Sequence, residues 1–276
     1  ITTNNFCSIL KVRKCIEYMF SGFLFSSNFI LKSIMITYFK RATFVIVLIT
    51  LLTIVSAVAQ TQNITTKIDS LLLTVFKDQN GPGGVFMAAK QGKPIYQKAF
   101  GKSNLELKVD LKVDDIFQLG SMTKQFTAVA ILQLEEQGKL SVNDVISKFI
   151  PDYPNGNKIT LHHLLTHTSG IKDFTKMKTL QQIAQKDLSP TEMITFFKNE
   201  PVDFPPGEKF DYNNSGYFLL GYVIEIVSGE KYEDYIKKYI FDKAEMTNSR
   251  YANDIAVIAN RAYGYHKKEN GYVNKS

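Results

Sequence analysis

The chain has 276 residues, of which 45% are hydrophobic and 21% are charged; this composition excludes collagen-like, low-complexity and wholly disordered proteins. The formal net charge is +7, but six of the 33 basic residues and only one of the 26 acidic residues lie within residues 1–59. The remaining 27 basic and 25 acidic residues nearly balance, so we expect no nucleic-acid partner.

The amino-terminal region predicts a secretion signal. A basic pair, an uncharged apolar run and a small-residue sequence ending at Ala59 follow one another, as in a cleavable signal peptide. We interpret residues 1–34 as an upstream non-native extension, residues 35–59 as the signal peptide and residues 60–276 as an exported domain, periplasmic or secreted. The alternative is an uncleaved anchor, which would be the protein's contact with a membrane.

The body of the chain opens with a predicted helix and a predicted hairpin. Residues 65–78 have apolar residues at helical spacing, and this pattern predicts a buried stripe of Ile68, Leu71, Leu72, Val75 and Phe76. Two strands follow as a hairpin, Val85–Ala89 and Pro94–Phe100.

A mostly helical stretch follows the hairpin. The predicted helices are Ser121–Gln137, Ser189 to about Lys198, Gly216–Val227 and Tyr232–Phe241. The first should bury Phe126, Val129, Leu132 and Leu134, and the second opens with a Ser-Pro-Thr-Glu capping box. No strand is predicted after Val227, and the last residues are interpreted as a polar tail. Because two strands alone make a marginal sheet, we expect the antiparallel sheet of this chain to be incomplete.

Ser121 and Lys124 form a Ser-x-x-Lys sequence. Residues three apart share one face of a helix, so the amine of Lys124 can reach the hydroxyl of Ser121 and activate it as a nucleophile. The spacing alone is weak evidence, because it recurs at Ser8/Lys11, Ser169/Lys172 and Ser228/Lys231. Only Ser121 opens an apolar-periodic helix; the alternative for it is a plain helix cap beside a solvated lysine.

Tyr212 and Asn214 form a second candidate element, a Tyr-x-Asn sequence. They follow the turn Pro205-Pro206-Gly207 and precede a predicted helix, on a loop held by rigid elements. A phenol beside a lysine can act as a general base, and an asparagine amide can orient a substrate. The alternative is that Tyr212 is one of fourteen tyrosines that pack against the core.

Three segments in this order resemble the serine β-lactamase-related family of class C β-lactamases, D-alanyl-D-alanine carboxypeptidases, D-aminopeptidases and esterases. They are Phe117–Lys124, Leu164–Gly170 and Pro206–Tyr217, and the resemblance covers about residues 64–265. It implies an α/β (α+β) two-lobe fold, with an antiparallel sheet flanked by helices, a helical lobe and the site between the lobes. It also implies roles for four residues: nucleophile for Ser121, proton partner for Lys124, general base for Tyr212 and substrate positioning for Asn214.

The family also carries a Lys/His-x-Gly sequence on a strand near its carboxyl end, and this chain has no suitable match. We therefore expect the catalytic domain, residues 60–276, to lack its C-terminal strands. The resemblance implies an exported serine hydrolase that acts on a β-lactam, a D-amino-acid peptide or an ester. The alternatives are a penicillin-binding sensor that acylates without efficient turnover, or an inactive truncated fragment. The His-Thr-Ser-Gly sequence is more typical of the broad hydrolase branch than of class C β-lactamases.

No cofactor or metal is expected. Both cysteines, Cys7 and Cys15, precede the signal segment, so the rest of the chain offers no thiolate ligands. His163 and His167 have the spacing of zinc ligands on a helix, but Leu164 stands where a zincin has its glutamate. We expect His162, His163 and His167 to make structural hydrogen bonds near a helix end instead. The expected partner is a small-molecule or peptide substrate, bound by a monomer.

Overall fold

The computed structural model describes residues 35, 38–41, 43–53, 64–183, 186–252 and 255–274. The interpreted upstream extension, residues 1–34, and the predicted cleavage site after Ala59 lie outside the described residues. Within the described ranges, no helix combines the length and the apolar character needed to span a bilayer. The chain divides into two compact units, residues 1–113 and residues 114–276.

Besides helical residues at 38–41 and 43–53, the first unit contains a further helix and two short antiparallel pairs of strands. Helix α1 comprises residues 64–75, and the strands are β1 (Gly84–Lys90), β2 (Lys93–Phe100), β3 (Lys102–Asn104) and β4 (Val109–Asp110). β1 pairs with β2 and β3 pairs with β4. Gln91 and Gly92 join β1 to β2 with φ angles of 51° and 73°, as a tight type I′ turn requires. The predicted hairpin is confirmed.

The core of the first unit is small and aromatic. It includes Ile68, Leu72, Phe76, Phe86, Tyr96 and Phe100. The rings of Phe76 and Phe86 meet edge to face, with centroids 5.3 Å apart. Leu71 and Val75 are 66% and 70% exposed, so the predicted stripe is wrong for these two. The residues that reach this core are four apart, Ile68 and Leu72 within α1 and Phe76 just after its end, and they form a narrower stripe than the one predicted.

The second unit is built around a long central helix. Its helices are α2 (Thr123–Glu136), α3 (Leu161–Leu165), α4 (Pro190–Phe197), α5 (Asn214–Ser228) and α6 (Tyr232–Ile236). α5 contacts the other four, and its fully buried side chains include Leu219, Leu220, Val223 and Ile224. α6 continues as a π-helical turn over Lys237–Phe241. The first turn of α5 therefore occupies a fixed place in the unit.

Local sequence signals set the helix ends much as predicted. Ser189 caps α4 and Glu192 returns the contact, accepting from the Ser189 N–H at 2.8 Å. Asn213 caps α5 by accepting from the Gly216 N–H at 2.8 Å, so this helix begins two residues earlier than predicted. It ends at Gly229. The predicted helix over Tyr232–Phe241 is also confirmed, with its second half in π geometry.

Helix α2 turns a different face to the core than the apolar pattern predicts. Its buried residues are Thr127, Ala130, Ile131 and Leu134. Phe126 packs on the core, as predicted, but Val129 and Leu132 are 44% and 51% exposed. The prediction is wrong for these two, because the stripe against α5 includes a threonine and an alanine, which a search for large apolar residues overlooks.

The end of the chain is a hairpin and not the predicted polar tail. β5 (Tyr265–Lys268) and β6 (Gly271–Asn274) pair antiparallel around Glu269 and Asn270. The prediction of no strand after Val227 is therefore wrong. The two consecutive lysines of β5 do not suggest a strand, whereas the Asn270-Gly271 sequence that follows β5 is typical of a hairpin.

The chain therefore mixes helices with short antiparallel sheets, as the α/β (α+β) prediction states. The strands in the described part of the chain form three separate two-stranded sheets. Small sheets of this kind agree with the predicted incomplete sheet.

The observed face of α2 provides a matched pair of substitutions. Leu134→Ala removes a fully buried side chain, and we expect it to lower the free energy of unfolding by about 2–5 kcal/mol. Leu132→Ala removes the same atoms from an exposed position, and we expect a loss below about 1 kcal/mol. Chemical denaturation of both variants measures the difference, and equal losses would contradict the assigned face.

Candidate active site

Ser121 lies in a short 3-10 turn that leads into α2. The turn comprises Gly120–Met122, and α2 begins at the next residue. The Lys124 Nζ lies 3.3 Å from the Ser121 Oγ, so the expected approach of amine and hydroxyl within one turn is present. Backbone N–H groups at the start of a helix lack partners within it, and Ser121 lies at that end of α2.

Tyr212 reaches the same hydroxyl from the loop before α5. Its Oη donates to the Ser121 Oγ at 2.6 Å, although 91 residues separate the two in sequence. The loop is anchored on either side of the tyrosine. The Asp211 N–H donates to the His167 carbonyl at 2.9 Å, and Asn213 caps α5. The structure thus brings Ser121, Lys124 and Tyr212 together, all within the second unit.

The Lys124 ammonium is held by several neighbours at once. It donates to the Asn214 Oδ1 at 2.8 Å, and it lies 4.7 Å from the centre of the Tyr212 ring and 5.6 Å from that of Tyr217. Aromatic faces attract cations, so both rings favour this location for the charge. Asn214 therefore contacts the lysine directly, and its predicted role in positioning substrate stays a prediction.

The pKa of Tyr212 lies below the ordinary value for a tyrosine. Burial alone would raise this pKa, but hydrogen bonding with Lys124 and Ser121, together with the charge of the ammonium, outweighs it. The side chain remains 38% exposed, so a substrate can approach the phenol. Lys124 thus favours the phenolate form of Tyr212, which is the form able to accept a proton.

The sequence does not predict His167 as a neighbour of the site, yet its ring lies against Tyr212. The two ring centroids are 4.6 Å apart, and His167 Nδ1 accepts from the Asn213 N–H at 3.1 Å. Burial and then the Lys124 charge lower the pKa of His167, so the imidazole is neutral at pH 7 with its proton on Nε2. The expected structural hydrogen bonds are confirmed for His167 and for His163, whose Nδ1 accepts from Thr160 N–H.

A buried carboxylate that the sequence does not single out completes the arrangement. The Asp173 Oδ2 accepts from the Asn214 Nδ2 at 3.1 Å, on the side of the amide away from Lys124. Asp173 lies just after a loop that needs glycine at position 170. There φ is +69°, and a Cβ would lie 1.9 Å from the Phe204 carbonyl oxygen. The Thr-Ser-Gly sequence is the available signal for this loop, but it does not indicate the contact with Asn214.

The other Ser-x-x-Lys sequences are arranged differently. Ser169 Oγ is buried without a hydrogen-bond partner among the residues that the structure describes, and Lys172 instead pairs with Asp203 at 2.7 Å. Ser228 Oγ donates to a carbonyl of its own helix at 2.6 Å. Ser8 lies outside the described residues. Position in the fold therefore distinguishes Ser121 from the serines of the other described Ser-x-x-Lys sequences.

A cleft of about 530 Å³ lies next to the start of α2. Its walls come from the segment before α2 and from α6, and they include Phe117, Phe126 and Tyr232. None of the three converging side chains lines it, although Gly120 and Thr123, which directly precede Ser121 and Lys124, do.

The lowered pKa of Tyr212 depends on one cation. Lys124→Met removes the ammonium but keeps the burial, so we expect the pKa of Tyr212 to rise. Ultraviolet titration of the phenolate measures it, with the matching Tyr212→Phe chain subtracted to remove the other tyrosines. Lys176→Met is the control, because Lys176 pairs with Asp211 and does not contribute to the pKa of Tyr212. An unchanged pKa in Lys124→Met would contradict the assigned cause.

Comparison with known proteins places the chain in a family. The family described as Beta-lactamase matches residues 62–275. Penicillin-binding protein 4* of Bacillus subtilis (strain 168) is 35% identical over 187 residues, which cover 66% of this chain and 41% of that protein. The chain therefore spans less than half the length of this curated relative.

Solved structures show the same relationship. The octameric penicillin-binding protein homologue from Pyrococcus abyssi has 34% identity and a TM-score of 0.67, covering 76% of this chain and 50% of that one. A D-stereospecific amidohydrolase from Streptomyces sp. has 25% identity and a TM-score of 0.59, covering 73% and 62% of the two chains. Since the family match covers most of the chain and the solved structures share its fold, the chain belongs to the Beta-lactamase family, whose members are serine hydrolases.

Proposed function

We propose that this protein is a serine hydrolase that cleaves amide or ester bonds through an acyl-enzyme on Ser121. The observation that carries the proposal is the convergence on one hydroxyl: Tyr212 Oη lies 2.6 Å and Lys124 Nζ 3.3 Å from Ser121 Oγ. A serine hydroxyl becomes nucleophilic when an adjacent base removes its proton. Tyr212, with its lowered pKa, is the proposed base.

Acylation follows from this geometry. The Ser121 Oγ bonds to the substrate carbonyl carbon while its proton moves to the Tyr212 phenolate. The carbonyl oxygen becomes an oxyanion, which N–H groups at the start of α2 stabilise. Tyr212 then gives the proton to the leaving nitrogen or oxygen as the bond to carbon breaks. Water, activated by the same phenolate, releases the acyl group as a carboxylic acid and restores Ser121.

Lys124 is the proposed proton partner of the pair. Its ammonium favours the ionised form of Tyr212 and donates towards Ser121 Oγ, so it stabilises the negative charge that passes between the two oxygens. Asn214, which accepts from Lys124 at 2.8 Å, holds the ammonium between them. We also propose that Asn214 helps to position the substrate, as the family resemblance implies.

The proposed substrates are β-lactams, D-amino-acid peptides or esters. The relatives support this range, since one is named a penicillin-binding protein and another a D-stereospecific amidohydrolase. We propose that the protein meets them as an exported protein, because residues 35–59 have the pattern of a signal peptide.

The nucleophile can be tested by covalent labelling. Ser121→Ala is expected to abolish labelling of the chain by a fluorescent penicillin and by a fluorophosphonate, because the reacting oxygen is gone. Ser169→Ala is the matched control: it removes the serine of a second Ser-x-x-Lys sequence from a buried position, and full labelling is expected. Fluorescence of the separated protein measures both. Full labelling of Ser121→Ala would show that the site assignment is wrong.

The lifetime of the same adduct separates the hydrolase from a penicillin-binding sensor. Loss of the penicillin label over minutes supports hydrolysis, whereas persistence over hours supports a protein that acylates without turnover. Absence of any label on the native chain would contradict both.

The proposed base has its own test. Tyr212→Phe is expected to lower kcat by about 10²–10⁴-fold, the usual contribution of a general base, with a smaller effect on KM. In the native protein the rate should rise as pH increases through the lowered pKa of Tyr212, since the phenolate is the active form; the variant should lose this rise. Steady-state kinetics on an ester substrate measures both, with Tyr222→Phe on α5 as the control. An unchanged pH profile in Tyr212→Phe would exclude Tyr212 as the base.

A further inference from the structure

We infer that Asp173 is a positioning residue that orients the Asn214 amide so that its oxygen, and not its nitrogen, faces Lys124. The inference rests on the proposed function, because it assigns Asp173 a part in activating Ser121 through Asn214 and Lys124. The effect of Asp173 on Ser121 is therefore indirect.

The contacts of Asp173 show how firmly it is placed. It is 1% exposed. Its Oδ1 accepts from the Thr175 N–H at 2.9 Å and the Thr175 hydroxyl at 2.8 Å. Its Oδ2 accepts from the Asn214 Nδ2 at 3.1 Å and the Asn214 N–H at 3.3 Å. Both carboxylate oxygens therefore accept hydrogen bonds, and Oδ2 accepts them from Asn214, the first residue of α5.

The segment around Asp173 is tied to α5 by a second buried contact. The Ser215 hydroxyl donates to the Lys172 carbonyl at 2.6 Å and accepts from the Phe174 N–H at 2.9 Å. Ser215 is fully buried. The backbone on both sides of Asp173 is therefore fixed relative to Asn214, so the carboxylate cannot move away without breaking these bonds.

The Asn214 Nδ2 also donates to the Thr175 hydroxyl at 3.1 Å, but a hydroxyl can accept or donate and so does not choose between the two amide orientations. The orientation of Asn214 follows from the chemistry of its other two neighbours, Asp173 and Lys124. A carboxylate can only accept hydrogen bonds, and an ammonium can only donate them. With the NH₂ group towards Asp173 and the oxygen towards Lys124, both contacts are satisfied. If the amide turned by half a rotation, its oxygen would face the carboxylate and its NH₂ would face the ammonium. Asp173 excludes that second orientation, and this keeps Lys124 within reach of Ser121 and Tyr212.

Asp173→Asn is the direct test, because it keeps the shape of the side chain but supplies an NH₂ group. Asn214 can then turn and present donors to Lys124, which would leave its place. We expect acylation of Ser121 by a fluorescent penicillin to be at least about tenfold slower, as for other displaced catalytic groups. Asp203→Asn is the matched control. The Asp203 carboxylate pairs with Lys172, the residue directly before Asp173, and we expect the acylation rate of this variant to stay within about twofold of the native rate.

The direction in which the pKa of Tyr212 changes in Asp173→Asn distinguishes displacement of Lys124 from simple loss of the Asp173 charge. The titratable and charged groups that face Tyr212 and Lys124 include Asp173, His167 and Tyr217. The negative charge of Asp173 raises the pKa of Tyr212, so its loss alone would lower that pKa. Displacement of Lys124 would raise it. We expect a rise in Asp173→Asn, with the acylation profile shifted to higher pH; a fall or no change would overturn the inference.

A double variant provides the rescue. In Asp173→Asn/Asn214→Asp the new amide donates to the new carboxylate, whose second oxygen again faces Lys124, and the total charge is unchanged. We expect it to acylate at least several-fold faster than either single variant. If Asp173→Asn does not fold, the double variant decides: a rate no higher than that of Asn214→Asp overturns the inference.

The outcomes also separate this inference from the proposed function. A native rate and pH profile in Asp173→Asn, with Ser121 still labelled, would overturn the inference and leave the proposed function intact. If the native chain takes no label at Ser121, the proposed function fails. The titration of Tyr212 in Asp173→Asn then still tests the orientation of Asn214.

Discussion

The site depends on where one ammonium group is held. Lys124 Nζ lies within hydrogen-bond distance of Ser121 Oγ and Asn214 Oδ1 and close to the face of the Tyr212 ring. This one charge lowers the pKa of Tyr212 and contributes to the lowered pKa of His167. The helix sets only the first contact, through the three-residue spacing from Ser121. The others come from residues about ninety positions further along the chain.

The beginning of α5 supplies those other contacts. Asn213 caps the helix and donates its N–H to His167, Asn214 accepts from Lys124, and Ser215 fixes the segment around Asp173. Three consecutive residues thus tie α5 to two loops and to α2. Because one face of the rest of α5 is buried in the core of the second unit, the packing of that core also holds the site residues in place.

The sequence predicts those parts of the molecule that local chemistry determines. The capping box at Ser189 and the hairpin of β1 and β2 can be predicted because spacing or a special residue type is decisive. For Ser121, Lys124 and Tyr212 the spacing recurs elsewhere in the chain, and only their places before predicted helices and the family resemblance single them out. The inward face of α2 is not predicted, because Thr127 and Ala130 are buried although neither is a large apolar residue. The Thr127 hydroxyl shares a hydrogen bond of 2.7 Å with the hydroxyl of Tyr232 on α6. The contact of Asp173 with Asn214 joins residues 41 apart, and no local pattern encodes it.

The central claim is that the fold activates the hydroxyl of Ser121. Its most direct measurement is peptide mapping by mass spectrometry after brief exposure of the folded chain to a fluorophosphonate. Cleavage after Lys112 and Lys124 yields the peptide Val113–Lys124, which contains Ser121. We expect this peptide to carry the adduct at Ser121 and prior denaturation to abolish it. An adduct on another residue, with Val113–Lys124 unmodified, would contradict the activation of Ser121 by the fold.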